Sequence, residues 1–122
     1  MAKKRYMMVN ELKPEHVEDY KRLHKTCMET KFNGQPQAMW DSGAPETLVY
    51  IYKNFSIVYI ETELELDEVF ERLGKTHSNE IWQEEANPWF AVPTTFDGAQ
   101  EAQYLEKIFD STQMMNGEFN EF

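Results

Sequence analysis

Two short runs of β-branched and aromatic residues, separated by only two residues, restrict the fold of this chain more than any other feature. Residues 46–52 (ETLVYIY) and 55–63 (FSIVYIETE) have the composition of β-strands. Only Lys53 and Asn54 lie between them, which is the length of a two-residue hairpin loop. The sequence therefore predicts an antiparallel hairpin in the middle of the fold.

Apolar side chains lie on both faces of the predicted hairpin. In the first strand, Tyr50 and Tyr52 alternate with Val49 and Ile51. An antiparallel sheet with one face in water normally alternates apolar with polar residues. Because two helices can cover only one face, we predict that a second copy of the chain covers the other face in a homodimer.

The elements around the hairpin alternate between strand and helix. Residues 4–11 predict a strand, and a helix follows from Pro14, a residue favoured in a first helical turn, to about Lys31. Residues 67–73 and 78–86 predict further helical segments. The order that results is β-α-β-β-α.

The remaining segments have weaker patterns. Residues 33–45 contain two glycines and two prolines and predict an irregular connection that holds Trp40, and residues 88–99 predict a loop. Residues 100–110 fit a helix or a strand, and we predict a strand because it completes the ferredoxin-like split β-α-β topology. The predicted fold class is therefore α+β, with a four-stranded antiparallel sheet and helices on one face. We expect residues 1–110 to form a single domain and residues 111–122 to form a C-terminal tail.

The charge balance excludes several kinds of partner. The 122 residues include 22 acidic and 12 basic side chains, which give a formal net charge of −10. Nucleic acids and anionic membranes need a basic surface, so we expect neither as a partner, whereas a neutral ligand remains compatible. The apolar run near the N-terminus is too short for a signal peptide, and no run approaches the length of a membrane span. We therefore expect a soluble, cytoplasmic protein.

A tyrosine and a histidine lie four residues apart on the apolar stripe of the first predicted helix. Tyr20 and His24 share this stripe with Val17 and Cys27, and spacing of four places side chains on one helical face. A lone inward histidine is most often a hydrogen-bonded core residue. The alternative is that a titratable imidazole and a phenol form an acid/base pair at a cavity.

Two motifs give the chain a resemblance to a known family. Residues 18–24 (EDYKRLH) and residues 76–82 (THSNEIW) resemble segments of the L-rhamnose mutarotase family, and the resemblance extends over about residues 5–110. It implies a ferredoxin-like fold that pairs as a dimeric α+β barrel, and interconversion of sugar anomers without cofactor or metal. It also implies that His24 is the catalytic acid/base and Tyr20 its partner.

The same resemblance implies how a monosaccharide would bind. Trp82 matches one member of a sugar-stacking tryptophan pair, and Gln83 stands in the place of the other. Since the C–H edges of a pyranose pack on aromatic rings, Trp40 and Tyr50 are further candidates for the sugar-binding surface. The three histidines, at positions 16, 24 and 77, have no metal-ligand spacing, so we expect no metal and no cofactor.

Two other functions remain compatible with the residues. Small cofactor-free monooxygenases with dimeric ferredoxin-like folds also line their sites with histidine, tyrosine and tryptophan. A non-catalytic sugar-binding protein on the same fold is the second alternative. Acceleration of anomer exchange would distinguish the mutarotase from both.

Overall fold

The computed structural model describes residues 3–91 and 104–118. Within these residues three strands form one antiparallel sheet: β1 (Lys4–Glu11), β2 (Glu46–Tyr52) and β3 (Phe55–Thr62). The order in the sheet is β1-β3-β2, so the second strand of the hairpin is central. The fold is α+β, as predicted.

The predicted hairpin is confirmed. β2 and β3 pair in register from Glu46 opposite Glu61 to Tyr52 opposite Phe55. Lys53 makes the turn in a left-handed conformation with φ 55°. The turn is held from outside by Leu12, whose N–H donates to the Asn54 carbonyl at 2.7 Å and whose carbonyl accepts from the Asn54 amide at 3.0 Å.

The helical segments predicted on either side of the hairpin are also present. The first comprises α1 (Val17–Thr26), flanked by 3-10 turns at Pro14–His16 and Cys27–Glu29. Later in the chain two further helices follow β3, and the Thr76 hydroxyl caps the second of them by accepting from the Asn79 N–H. The bounds of these helices are Leu66–Gly74 for α3 and His77–Ala86 for α4.

The prediction of an irregular connection over residues 33–45 was wrong, because the chain forms α2 (Gln35–Asp41) there. Pro36 lies in the first turn of this helix, where a missing N–H breaks no intrahelical hydrogen bond. Gly34 precedes the helix and has a packing role, since a Cβ atom there would lie 2.5 Å from the Ser78 hydroxyl oxygen. Residues that suggest a loop therefore begin a helix packed closely against α4.

The predicted fourth strand is not formed in the described part of the chain, and the sheet has three strands there. Residues 92–103 lie outside the described residues. Tyr104 makes one antiparallel bridge with Met8, and the Leu105 N–H donates to the Met7 carbonyl at 2.8 Å. Residues 106–109 form no strand, and Asp110, whose carboxylate accepts from the Gln113 N–H at 3.0 Å, then starts a helix. That helix is α5 (Ser111–Met115), in the segment predicted as a C-terminal tail.

The helices α1–α4 cover one face of the sheet and leave the other open. Tyr20, Leu23 and Leu12 belong to one buried cluster, and Ile60 and Val69 belong to a second. The open face has charged residues at one end, namely Arg5, Glu46 and Glu61, and four large apolar side chains between 38% and 61% exposed, namely Met7, Leu48, Tyr50 and Tyr52. None of the helices described here is both long and apolar enough to cross a membrane.

Two isoleucines test this division between core and surface. Ile60 is 1% exposed and Ile108 is 77% exposed. We expect Ile60→Ala to lower the free energy of unfolding by about 2–5 kcal/mol, because it leaves a cavity in the core. The matched change Ile108→Ala should cost less than about 0.5 kcal/mol. Urea denaturation of both variants checks this, and equal losses would contradict the packing described here.

Candidate active site

A cavity of about 450 Å³ lies between the helix-covered face of the sheet and the helices α1, α2 and α4. This volume is within the range of small-molecule binding sites. Its walls combine aromatic and aliphatic side chains with a few polar ones. Among the described residues, no Asp, Glu, Lys or Arg side chain lines it. Although the protein has a net charge of −10, the described wall of this pocket is uncharged, which suits a neutral ligand.

Four of the five residues predicted for the site meet at this cavity. Tyr20 and His24 reach it from α1, Trp40 from α2 and Trp82 from α4. Tyr50 does not line it, because its side chain projects from the opposite face of the sheet and is 60% exposed. Within one chain, Tyr50 is thus separated from the other four by the sheet itself.

His24 is held by a hydrogen bond inside its own helix. Its Nδ1 lies 2.8 Å from the carbonyl oxygen of Tyr20, one turn earlier. A carbonyl can only accept, so Nδ1 carries the proton and Nε2 of the neutral ring is left with a free lone pair. Burial lowers the pKa of His24 below the usual 6.5, and the bond to the Tyr20 carbonyl opposes this shift in part. His24 is therefore a neutral base at neutral pH.

Tyr20 is a buried phenol that connects α1 to the sheet. Its hydroxyl lies 2.7 Å from the Ser56 hydroxyl on β3, and its side chain is 5% exposed. Burial raises the pKa of Tyr20, and the Ser56 hydrogen bond opposes the shift. The phenol stays protonated, and its ring packs against His24 with centroids 4.3 Å apart. Tyr20 thus fixes His24 from two sides, with its carbonyl and with its ring.

The tryptophans form different parts of the wall. The rings of Trp82 and His24 are perpendicular, with centroids 4.9 Å apart, and Trp82 also meets Phe32 edge-on. Trp40 is 64% exposed although it lines the cavity, which places it at the mouth. Trp82 is therefore an inner wall next to the base, and Trp40 is an outer one.

The structure adds polar residues that the sequence analysis missed. Ser56 is fully buried and is the partner of Tyr20. The sequence feature that could have identified Ser56 is a single serine within an apolar run, residues 55–60. Gln35 and Asn79 line the cavity between α2 and α4, together with Gln83, which the sequence analysis had placed at the position of the second tryptophan. Asn79 and Gln83 are four residues apart on α4, the helix that carries Trp82, and this spacing places them on one helical face.

No group of three or more His, Cys, Asp or Glu side chains within the described ranges could hold a metal ion. The cavity itself offers a neutral imidazole, a protonated phenol and amide side chains beside aromatic walls. Such a set can bind a neutral polyol and move a proton at one end of it.

Comparison with known proteins agrees with this chemistry. A model of the family described as L-rhamnose mutarotase matches residues 5–111. Among solved structures, the chain resembles an L-rhamnose mutarotase from Formosa agariphila, with a TM-score of 0.63 and 16% identity over 88% of this chain and 97% of that one. It also resembles tetracenomycin F2 cyclase from Streptomyces glaucescens, a type-II polyketide cyclase, with a TM-score of 0.53 and 15% identity over 88% and 95% of the two chains. Among curated proteins, none matches.

The burial of His24 predicts how stability depends on pH. Since its folded-state pKa is lowered, the unfolded chain takes up a proton near pH 6.5 that the folded protein binds only at lower pH. The free energy of unfolding therefore has its full value above pH 6.5 and falls as the pH drops toward the folded-state pKa. We expect His24→Gln to remove this part of the pH dependence, which urea denaturation at several pH values measures. If the free energy of unfolding of the variant falls between these pH values as much as that of the wild type, His24 is not buried and neutral in the folded protein.

Proposed function

The chain belongs to the L-rhamnose mutarotase family, and we propose that His24 is the acid/base group with which it interconverts the α and β anomers of its sugar. The observation that carries this proposal is the hydrogen bond from His24 Nδ1 to the Tyr20 carbonyl, which leaves Nε2 as a base at an uncharged cavity. The substrate is L-rhamnose or a related monosaccharide. We propose that the reaction uses no cofactor and no metal ion.

The proposed reaction opens and closes the sugar ring. His24 Nε2 takes the proton of the anomeric hydroxyl, and the electron pair of that O–H bond forms the C1 carbonyl. The bond between C1 and the ring oxygen breaks, its electron pair goes to the ring oxygen, and the imidazolium returns a proton there. After rotation about the C1–C2 bond, the reverse steps close the ring on the other face. Each proton that leaves the sugar thus comes back to it, and the enzyme is unchanged.

Tyr20 assists in this proposal as a neutral group. Its raised pKa keeps the phenol protonated, so it does not compete with His24 as a base. Through its carbonyl it selects the tautomer of the imidazole, and through its ring it limits the orientations that His24 can take. We propose that the hydroxyls of Tyr20 and Ser56 together keep α1 at the distance from the sheet that the cavity needs.

The tryptophans bind the sugar ring in this proposal. Trp82 offers an aromatic wall directly beside the imidazole, so a pyranose packed on it would present its anomeric end to the base. Trp40, at the mouth, would cover the part of the sugar farthest from the sheet. Tyr50 has no such role within the chain, because it lies on the other face of the sheet.

We further propose that the protein is a homodimer and works in the cytoplasm, where enzymes of monosaccharide metabolism act. The open face of the sheet supports the dimer, because Tyr50, Tyr52 and Leu48 form an apolar surface of the kind that monomers rarely leave in water. A second sheet packed face to face would cover it, and the structure describes one chain only.

The experiment that tests the catalytic proposal is saturation-transfer proton NMR on the anomeric signals of L-rhamnose. We expect His24→Ala to reduce the catalysed exchange rate by at least about 100-fold, because general acid/base groups contribute about 10²–10⁴-fold. His77→Ala is the matched control, since the His77 side chain is 82% exposed and outside the cavity. Exchange at the wild-type rate in a folded His24→Ala protein would refute the assignment. Sugar binding with no acceleration by the wild type would favour a binding protein instead.

The molar mass of the protein in solution tests whether it forms a homodimer. Light scattering after size exclusion should give twice the 14.5 kDa of the chain for the wild type. We expect Tyr50→Glu to produce monomers, because it places a charge in the middle of the proposed interface. Met115→Glu, at a residue that is 86% exposed on α5, should leave the mass unchanged. A monomeric wild type would contradict the proposal.

A further inference from the structure

The cavity wall between α2 and α4 carries three amide side chains, Gln35, Asn79 and Gln83, which we call the amide cluster. We propose that the amide cluster is a subsite that accepts hydrogen bonds from sugar hydroxyl groups and so determines which sugars the enzyme takes. This inference rests on the proposed mutarotase function, which it deepens by assigning the recognition of the ring hydroxyls.

Hydrogen bonds inside the cluster fix how its amides are turned. The Asn79 side-chain oxygen accepts from the Gln35 amide nitrogen at 3.2 Å and from the Gln83 amide nitrogen at 3.5 Å. Both glutamines therefore direct their nitrogens at Asn79. Their own oxygens must point elsewhere, because the oxygen and nitrogen of one amide project in different directions.

Those two oxygens are buried and without donors. Neither Gln35 Oε1 nor Gln83 Oε1 accepts a hydrogen bond from any residue in the two described ranges. Gln35 is 7% exposed and Asn79 is 3% exposed, and Gln83 is half-buried. Buried amide oxygens in natural proteins nearly always have a partner, because an unpaired one loses its hydration without compensation. Because the two glutamines that carry these oxygens line one cavity, we infer that the cavity's ligand supplies the donors.

The chemistry of the cavity identifies the donor as a neutral hydroxyl. A cationic donor would need a compensating negative charge, and no Asp or Glu among the described residues lines the cavity. A sugar hydroxyl brings one O–H donor and no charge. Trp82 and the amide cluster line the same cavity, so we infer that a ring packed on this tryptophan has hydroxyl groups within reach of the cluster.

A purely structural role makes different predictions. The bond from Gln35 to Asn79 connects α2 to α4, and a connection of that kind needs only the amide nitrogens and the Asn79 oxygen. It leaves the two glutamine oxygens unused. If the cluster only joined the helices, changing a glutamine would alter stability and leave the response to sugar hydroxyls untouched.

Three methionine variants distinguish these roles: Gln83→Met, Gln35→Met and the control Gln37→Met. Methionine keeps the length of glutamine and removes its amide. Gln37 is exposed on α2, where it bonds to Asp41. We expect Gln83→Met and Gln35→Met each to raise KM for L-rhamnose about fivefold, as the loss of one neutral hydrogen bond implies. We expect kcat to stay within about twofold, because the cluster does not touch the transferred proton. Gln37→Met should match the wild type.

Monodeoxy analogues of L-rhamnose, lacking the hydroxyl at C2, C3 or C4 in turn, complete the test. We expect at least one analogue to bind the wild type more weakly than L-rhamnose, and Gln83→Met to lose that discrimination. The wild type and Gln83→Met are compared on the same two sugars, so differences in the intrinsic reactivity of the sugars cancel. A structural connection alone would not remove discrimination between two sugars.

The outcomes separate this inference from the proposed function. If the wild type accelerates L-rhamnose exchange but both cavity variants keep its KM and its discrimination, the amide cluster is not a hydroxyl subsite. If the wild type accelerates no exchange of L-rhamnose, the proposed function itself fails. If Gln35→Met does not fold, the result for Gln83→Met alone decides. Gln83 has the longer hydrogen bond to Asn79, so we expect its loss to cost less stability.

Discussion

The hydrogen bond from His24 Nδ1 to the carbonyl of Tyr20 is the interaction on which the site depends. It lies within one helical turn, so α1 alone sets the tautomer of the imidazole. The place of the imidazole in the molecule depends on a second bond, between the hydroxyls of Tyr20 and Ser56, which connects α1 to the central strand of the sheet. One residue thus supplies both the orientation and the position of the base.

Burial adjusts the protonation of this pair in opposite directions. It lowers the pKa of the histidine and raises the pKa of the phenol, and each group stays neutral as a result. A neutral pair in an uncharged cavity suits a substrate without charge, whose reaction only moves a proton between two of its own oxygens. The acidic side chains in the described ranges of the chain lie outside the cavity.

Local patterns predicted much of this arrangement. The hairpin follows from two β-rich runs around Lys53, and the pairing of Tyr20 with His24 follows from helical spacing on an apolar stripe. The sequence could not determine which face of β2 meets the helices, because both faces are apolar, and Tyr50 was assigned to the site although it lies on the open face.

Pro36 suggested a loop, but proline fits the first turn of α2. The predicted last strand is not formed in the described residues, where the chain makes one bridge to β1 at Tyr104 and later enters α5. Gln35 and Asn79 were missed because they are 44 residues apart and meet only in the folded chain.

The most direct test of the central claim is the protonation of the His24 ring, observed by long-range proton–nitrogen correlation NMR on nitrogen-labelled protein. The spectrum of His24→Gln identifies the signals, because those of His24 are missing from it. Above pH 6.5 we predict a neutral ring with the proton on Nδ1 and an unprotonated Nε2. A ring protonated on both nitrogens, or a neutral ring with its proton on Nε2, would contradict the account, because neither leaves Nε2 free to accept the anomeric proton.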